Sequence, residues 1–228
     1  MRQGSQLETF LAVNDLDDVL NAVRRIDDLS HDDEARILQV LSDWDKPQAV
    51  ANLLMYPKLI PLEQRLDFLI KGLQENAIHY FKLAAVVGLQ SIEIEDVPEN
   101  QRQEILRMLV NLIKTYSGVL ATRASATLNG WVQSGDGHAI APLLRHPDST
   151  VQHNILASLI EIVGFDTIVD FLDVIFAAGG YPPETIAATK AKLSQIKEIN
   201  PENDSAKPFA LSPVRFTLYS YIPNFSAS

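Results

Sequence analysis

The residues best suited to chemistry in this chain are its five histidines: His31, His79, His138, His146 and His153. A neutral imidazole serves as a general base or as a metal ligand near neutral pH. The last three histidines fall within 16 residues of one another. A zinc site needs three or four converging ligands. The sequence has no HExxH and no cysteine, so it lacks the usual completions of such a site. His146 and His153 make at most a two-ligand surface pair. The acidic runs at Asp15–Asp18, Asp27–Asp28 and Asp32–Glu34 miss the alternating Asp, central Gly and twelfth-position Glu of a calcium loop. Carboxylates at helix starts account for them. GxSxG, GxxxxGK[ST] and a GxGxxG following a strand are all missing. Asp136, in Gly135-Asp136-Gly137, reads as the cap of the next helix. These residue types point to a non-catalytic chain with no cofactor and no metal.

The elements that would position any site declare themselves through repetition. The stretch from Asp45 to Leu73 and the stretch from Asp136 to Gly164 align without a gap at an offset of 90. Ala49 falls on Ala139, Val50 on Ile140, Leu53 on Leu143, Leu54 on Leu144 and Pro57 on Pro147. Further on, Leu66 falls on Leu156, Leu69 on Leu159 and Ile70 on Ile160. Two units of about 45 residues with a degenerate unit between them fit this spacing.

Within and around the repeats, apolar residues recur at helical spacing. The pattern predicts a helix through Val19, Leu20, Val23 and Ile26, capped by Asn14 or Asp15, and another through Ile37, Leu38, Leu41 and Trp44. It predicts a short helix at 47–55 and a longer one after Pro61. The helix at 77–92 is apolar nearly all round and must be buried on several sides. Helices follow at 99–115, ended by Ser117-Gly118, and at 119–132, rich in small residues. Beyond the second repeat they continue at 166–178 and 183–198. Short connections imply that sequential helices pack as antiparallel neighbours. The fold class is therefore all-α, with about ten to twelve helices and a non-helical tail. Residues 1–44 form an acidic N-terminal helical cap, 45–198 the repeat array in the same domain, and 199–228 a linker with an aromatic tail.

The second repeat resembles the HEAT family in its short bacterial form. The match runs through Ala139-Ile140, Leu143-Leu144, Pro147-Asp148, Val151, Leu156 and Leu159. Gln152 stands where that family usually has Arg. The segment from Phe81 to Leu89 is similar to a second helix that keeps its basic residue, Lys82, and Thr122-Arg123 opens another. The resemblance, over about residues 45–198, implies a right-handed α-solenoid of antiparallel helices. It also implies that second helices line a concave face, which would carry Gln64, Arg65, Asp67, His79, Lys82, Arg123, Gln152, His153 and Asn154. The lyase and chaperone group of short HEAT proteins offers an alternative, in which Arg65, Lys82, Arg123 and His153 converge in a groove and grip a substrate or cofactor.

Charge shapes the choice of partner. The formal net charge is −10, and residues 1–50 hold 11 acidic against 5 basic side chains. That balance opposes phosphate-backbone binding and suits a protein partner with a basic surface. No segment reads as a signal peptide or a membrane span, so a cytoplasmic protein is expected. Trp44 belongs by default to packing, yet Asp43-Trp44-Asp45 also reads as a rim that could present the indole as a binding hot spot. The alternation Val214, Phe216, Leu218, followed by Tyr219 and Tyr221, reads as an extended segment that docks on the array or on a partner. The expected function is that of a scaffold, adaptor or assembly chaperone. Its candidate contacts are Gln64, Arg65, Lys82, Arg123, Gln152, His153, Trp44, Phe216 and Tyr219.

Overall fold

A computed structural model describes residues 4–163 apart from Asp27, together with the isolated positions 184, 187, 190 and 191. The expected helix at 166–178 and the aromatic tail lie outside the described residues, as does 183–198 apart from those four positions, which are helical. Ten α-helices and three short 3-10 turns, with no strand, make up the described chain. They are α1 (Gly4–Ala12), α2 (Leu16–Val23), α3 (His31–Asp43), α4 (Pro47–Met55), α5 (Leu62–Leu73), α6 (His79–Leu89), α7 (Glu99–Thr115), α8 (Gly118–Leu128), α9 (Gly137–Ile140) and α10 (Ser149–Val163). Two compact units divide between Leu112 and Ile113, inside α7.

Helix starts follow from local chemistry. Ser30 and Asp33 form a reciprocal capping box at α3: the Ser30 hydroxyl accepts from the Asp33 N–H, and Asp33 Oδ2 accepts from the Ser30 N–H. Asp148 Oδ1 accepts from the N–H groups of Thr150 and Val151 and so caps α10. Asp136 behaves differently from expectation. Its side chain makes no cap bond to α9; instead Oδ2 turns back to accept from the Gln133 N–H at 2.8 Å, closing the preceding turn.

In the first unit α4 packs against α1, α3, α5 and α6. Six consecutive α4 residues, Ala49 to Leu54, are buried, as a helix covered from several sides requires. The nearly all-apolar α6 meets the same condition, with Phe81, Lys82, Ala84, Ala85, Val86, Gly88 and Leu89 buried. Glycine makes the approach possible. A Cβ on Gly88 would overlap the Leu54 carbonyl oxygen, and one on Gly72 would sit 3.0 Å from Ala85 Cβ and 3.1 Å from Leu54 Cδ1. The closest packing thus joins α4 to α6 across an intervening helix, in addition to the sequential pairs.

The second unit packs α10 on α8 and α9. Small residues on α8, among them Ala121, Ala124 and Ser125, are fully buried. Four pairs related by the offset of 90 are buried in both copies, Val50 and Ile140, Leu53 and Leu143, Leu54 and Leu144, and Leu69 and Leu159, whereas Ala49 and Pro57 are buried and their counterparts Ala139 and Pro147 are exposed. The first helices of the copies differ. α4 runs for 9 residues, whereas α9 stops after 4 and passes into a 3-10 turn over Ala141–Arg145. Pro142 stands where the first copy has Asn52; it has no N–H to donate and its ring clashes with the carbonyl four residues earlier.

Gly88→Ala should destabilise the protein by at least about 2 kcal/mol, because the methyl group has no room against backbone. Gly130→Ala, where the nearest atom to a Cβ is the Thr127 oxygen at 3.8 Å, should leave the urea midpoint equal or raised. Equal midpoints for the two variants would contradict the close approach of α4 and α6.

Candidate interaction surface

Four helices carry a long side chain with N–H donors at their fourth residue: Arg65 on α5, Lys82 on α6, Arg102 on α7 and Gln152 on α10. Three of them reach back over the turn that feeds their own helix. Arg65 Nε and Nη2 donate to the Ile60 carbonyl at 3.3 and 3.1 Å, and Nη2 also donates to the Lys58 carbonyl at 3.3 Å. Lys82 Nζ donates to the carbonyls of Glu75, at 2.9 Å, and Ala77. Gln152 Nε2 donates to the His146 carbonyl at 2.8 Å. Arg65 and Lys82 use the same offsets, five and seven residues back. A side chain here points toward the helix N-terminus, where turn carbonyls have no helical partner.

Arg102 uses the same position for an ion pair. It is 3 % exposed, and its Nε and Nη2 donate to the two Glu99 oxygens at 2.7 Å each. This bidentate geometry is the strong form of such a pair. The hydrogen bonds from Arg102, then Gln103, hold the Glu99 carboxyl down at about 2, against an ordinary value of 4.5.

A second buried polar connection ties α1 to α4. Asn52 is fully buried. Its Nδ2 donates to the carbonyls of Phe10 and Val13 at 3.0 Å each, at the end of α1. Its Oδ1 accepts from Gln48 Nε2 at 2.9 Å, and that amide also donates to the Tyr80 hydroxyl at 2.8 Å. Burial raises the Tyr80 pKa, and the hydrogen bond from Gln48 opposes that shift. Neither Asn52 nor Arg102 stands out in the sequence, since a lone Asn in an apolar run has the signature of a surface position. The recurring fourth-residue register was the available signal for Arg102.

Trp44 ends α3 with its backbone in the left-handed region, at φ 52° and ψ 21°, which bulky residues rarely occupy. Its N–H closes the helix on the Val40 carbonyl. Its ring packs edge-on against Phe81, with centroids 4.7 Å apart. The Lys71 ammonium lies 4.4 Å from the ring centroid, a cation–π distance. The indole is half-buried, and its Nε1 finds no acceptor among the described residues. These contacts make Trp44 a staple from α3 to α5 and α6.

The remaining candidate residues are dispersed. Gln64 and His79 are exposed in the first unit, and His153 is exposed in the second. Arg123 is half-buried on α8. Asp67 accepts from Gln101 Nε2 at 3.4 Å. Asn154 donates to Ser125 Oγ at 2.9 Å and helps hold α10 on α8. His146 is taken up by its own turn: Nδ1 accepts from the Asp148 N–H at 3.1 Å, and Nε2 lies 3.3 Å from the Tyr116 carbonyl. No group of three or more His, Asp or Glu suited to a metal occurs among the described residues. Phe216 and Tyr219 lie outside them.

Along α5, Glu63, Gln64, Asp67 and Lys71 are exposed. At its head stands Leu62, 72 % exposed, the more exposed of the two large apolar side chains that face solvent among the described residues; the other is Ile78. A cleft of about 260 Å³ opens elsewhere in this unit, lined by Glu8, Leu11, Arg36, Val40, Lys46 and Gln48 among others. The Glu8–Arg36 ion pair, at 2.8 Å, stands at its wall.

Over the described residues, the fold and these contacts define an all-α protein of ten helices. No helix among the described residues is long and apolar enough to cross a membrane. No protein family, curated protein or solved structure matches the chain.

Lys82→Met keeps the volume at a site 2 % exposed but strips two turn carbonyls of their donor, so it should cost about 1–3 kcal/mol. Arg65→Met should cost less, because water can reach the Lys58 carbonyl beside its exposed turn. Urea denaturation of the two variants checks both the sign and the order. Glu99 has a lowered pKa in the folded chain, so its pairing stabilises above the ordinary value of 4.5 and is lost as pH falls toward about 2. The pair is largely open to solvent on the Glu99 side, so the effect on stability is small. Carboxyl-carbon NMR should give a Glu99 midpoint near 2; a midpoint near 4.5 would contradict the bidentate pair.

Proposed function

We propose that this chain is a short HEAT-like α-solenoid that acts as a non-catalytic interaction module, a scaffold, adaptor or assembly chaperone for another protein. The observation that carries this reading is the outward face of α5. It presents an apolar side chain, Leu62, among polar neighbours. An isolated apolar anchor within a polar rim is how protein interfaces concentrate affinity. Gln64 and Asp67 supply polar contacts beside it. The net charge of −10 favours a partner with a basic surface, through steering as well as contact. A cytoplasmic setting belongs to the same proposal.

The alternative, a groove that grips a substrate or cofactor, draws on Arg65, Lys82, Arg123 and His153. Arg65, through Nε and Nη2, and Lys82, through two of its ammonium hydrogens, hold turn carbonyls, so part of their donor capacity is already engaged. The binding reading asks nothing of them beyond holding the helices in place.

Quantitative affinity capture should recover a saturable protein partner with the wild-type chain and at least tenfold less of it with Leu62→Asp. At 72 % exposure that substitution should leave the circular dichroism and the urea midpoint unchanged. Equal recovery by both chains would remove the α5 face from the proposal. Failure of the wild type to recover any saturable partner would remove the interaction module itself. Deletion of residues 200–228 should leave recovery intact. Loss of the partner on that deletion, with Leu62→Asp still binding, would move the contact to the aromatic tail.

A further inference from the structure

We draw no further inference here: the strongest candidate, the cleft between α1, α3 and α4 that Arg36, Lys46 and Gln48 help to line, rests on an uncapped helix start beside two surface cations, one already paired with Glu8, and nothing in the structure shows what ligand would occupy it.

Discussion

The first unit depends on one close approach, that of α6 to the backbone of α4 at Gly88. The Leu54 carbonyl occupies the space a Cβ would need, so the two helices meet backbone to backbone with no side chain between them. Once α4 is that deep, every one of its faces must be apolar or internally satisfied. Ala49, Val50, Ala51, Leu53 and Leu54 meet the first condition and Asn52 the second. A buried amide is costly unless its hydrogen bonds are made. Asn52 makes its bonds with the carbonyls at the end of α1 and so fixes where that helix lies on α4.

The same logic explains the polar residues at the fourth position of α5, α6 and α10. A helical chain with short connections leaves carbonyls at each turn without partners. A long side chain one turn into the next helix can reach them, and Arg65, Lys82 and Gln152 do. Lys82 is the extreme case, since its charge is almost entirely withdrawn from water and its ammonium depends on those carbonyls. Arg65 and Lys82, two of the four residues of the groove reading, therefore carry a structural duty. On α5 the exposed side chains beside Leu62 are Glu63 and Gln64.

Trp44 shows how packing overrides a local preference. Gly or Asn is the usual residue for a left-handed helix end. The indole is retained there because its ring fills the space beside Phe81 and beneath Lys71. The cost of the backbone conformation is offset by contacts made with residues 27 and 37 positions further along the chain. Those contacts hold an aromatic ring that a rim position would have left open.

Much of the helical architecture was legible in the residues themselves. The bounds 47–55 and 99–115 agree with α4 and α7, because Pro47, Pro98 and Ser117-Gly118 punctuate an otherwise clear 3.6-residue period. The offset of 90 identified Val50, Leu53, Leu54 and Leu69 and their counterparts as core, since burial imposes the same apolar pattern on both copies. The interruption of α9 was also written in the chain, at Pro142, though the alignment with α4 concealed it. The destinations of the polar side chains were not legible. Arg65, Lys82 and Gln152 look alike as surface or groove residues, and Asp136 looks like a cap. Hydrogen-bond partners lie at offsets that the helical period does not encode, and only the folded turn brings a carbonyl to the donor. Sequence by itself determined the class of the protein and the register of its apolar faces, because hydrophobic burial acts through a regular spacing. Tertiary structure alone decided which charged groups are tied to turn carbonyls and which stay exposed, because that depends on distances between turns and on how closely two glycines let their helices approach.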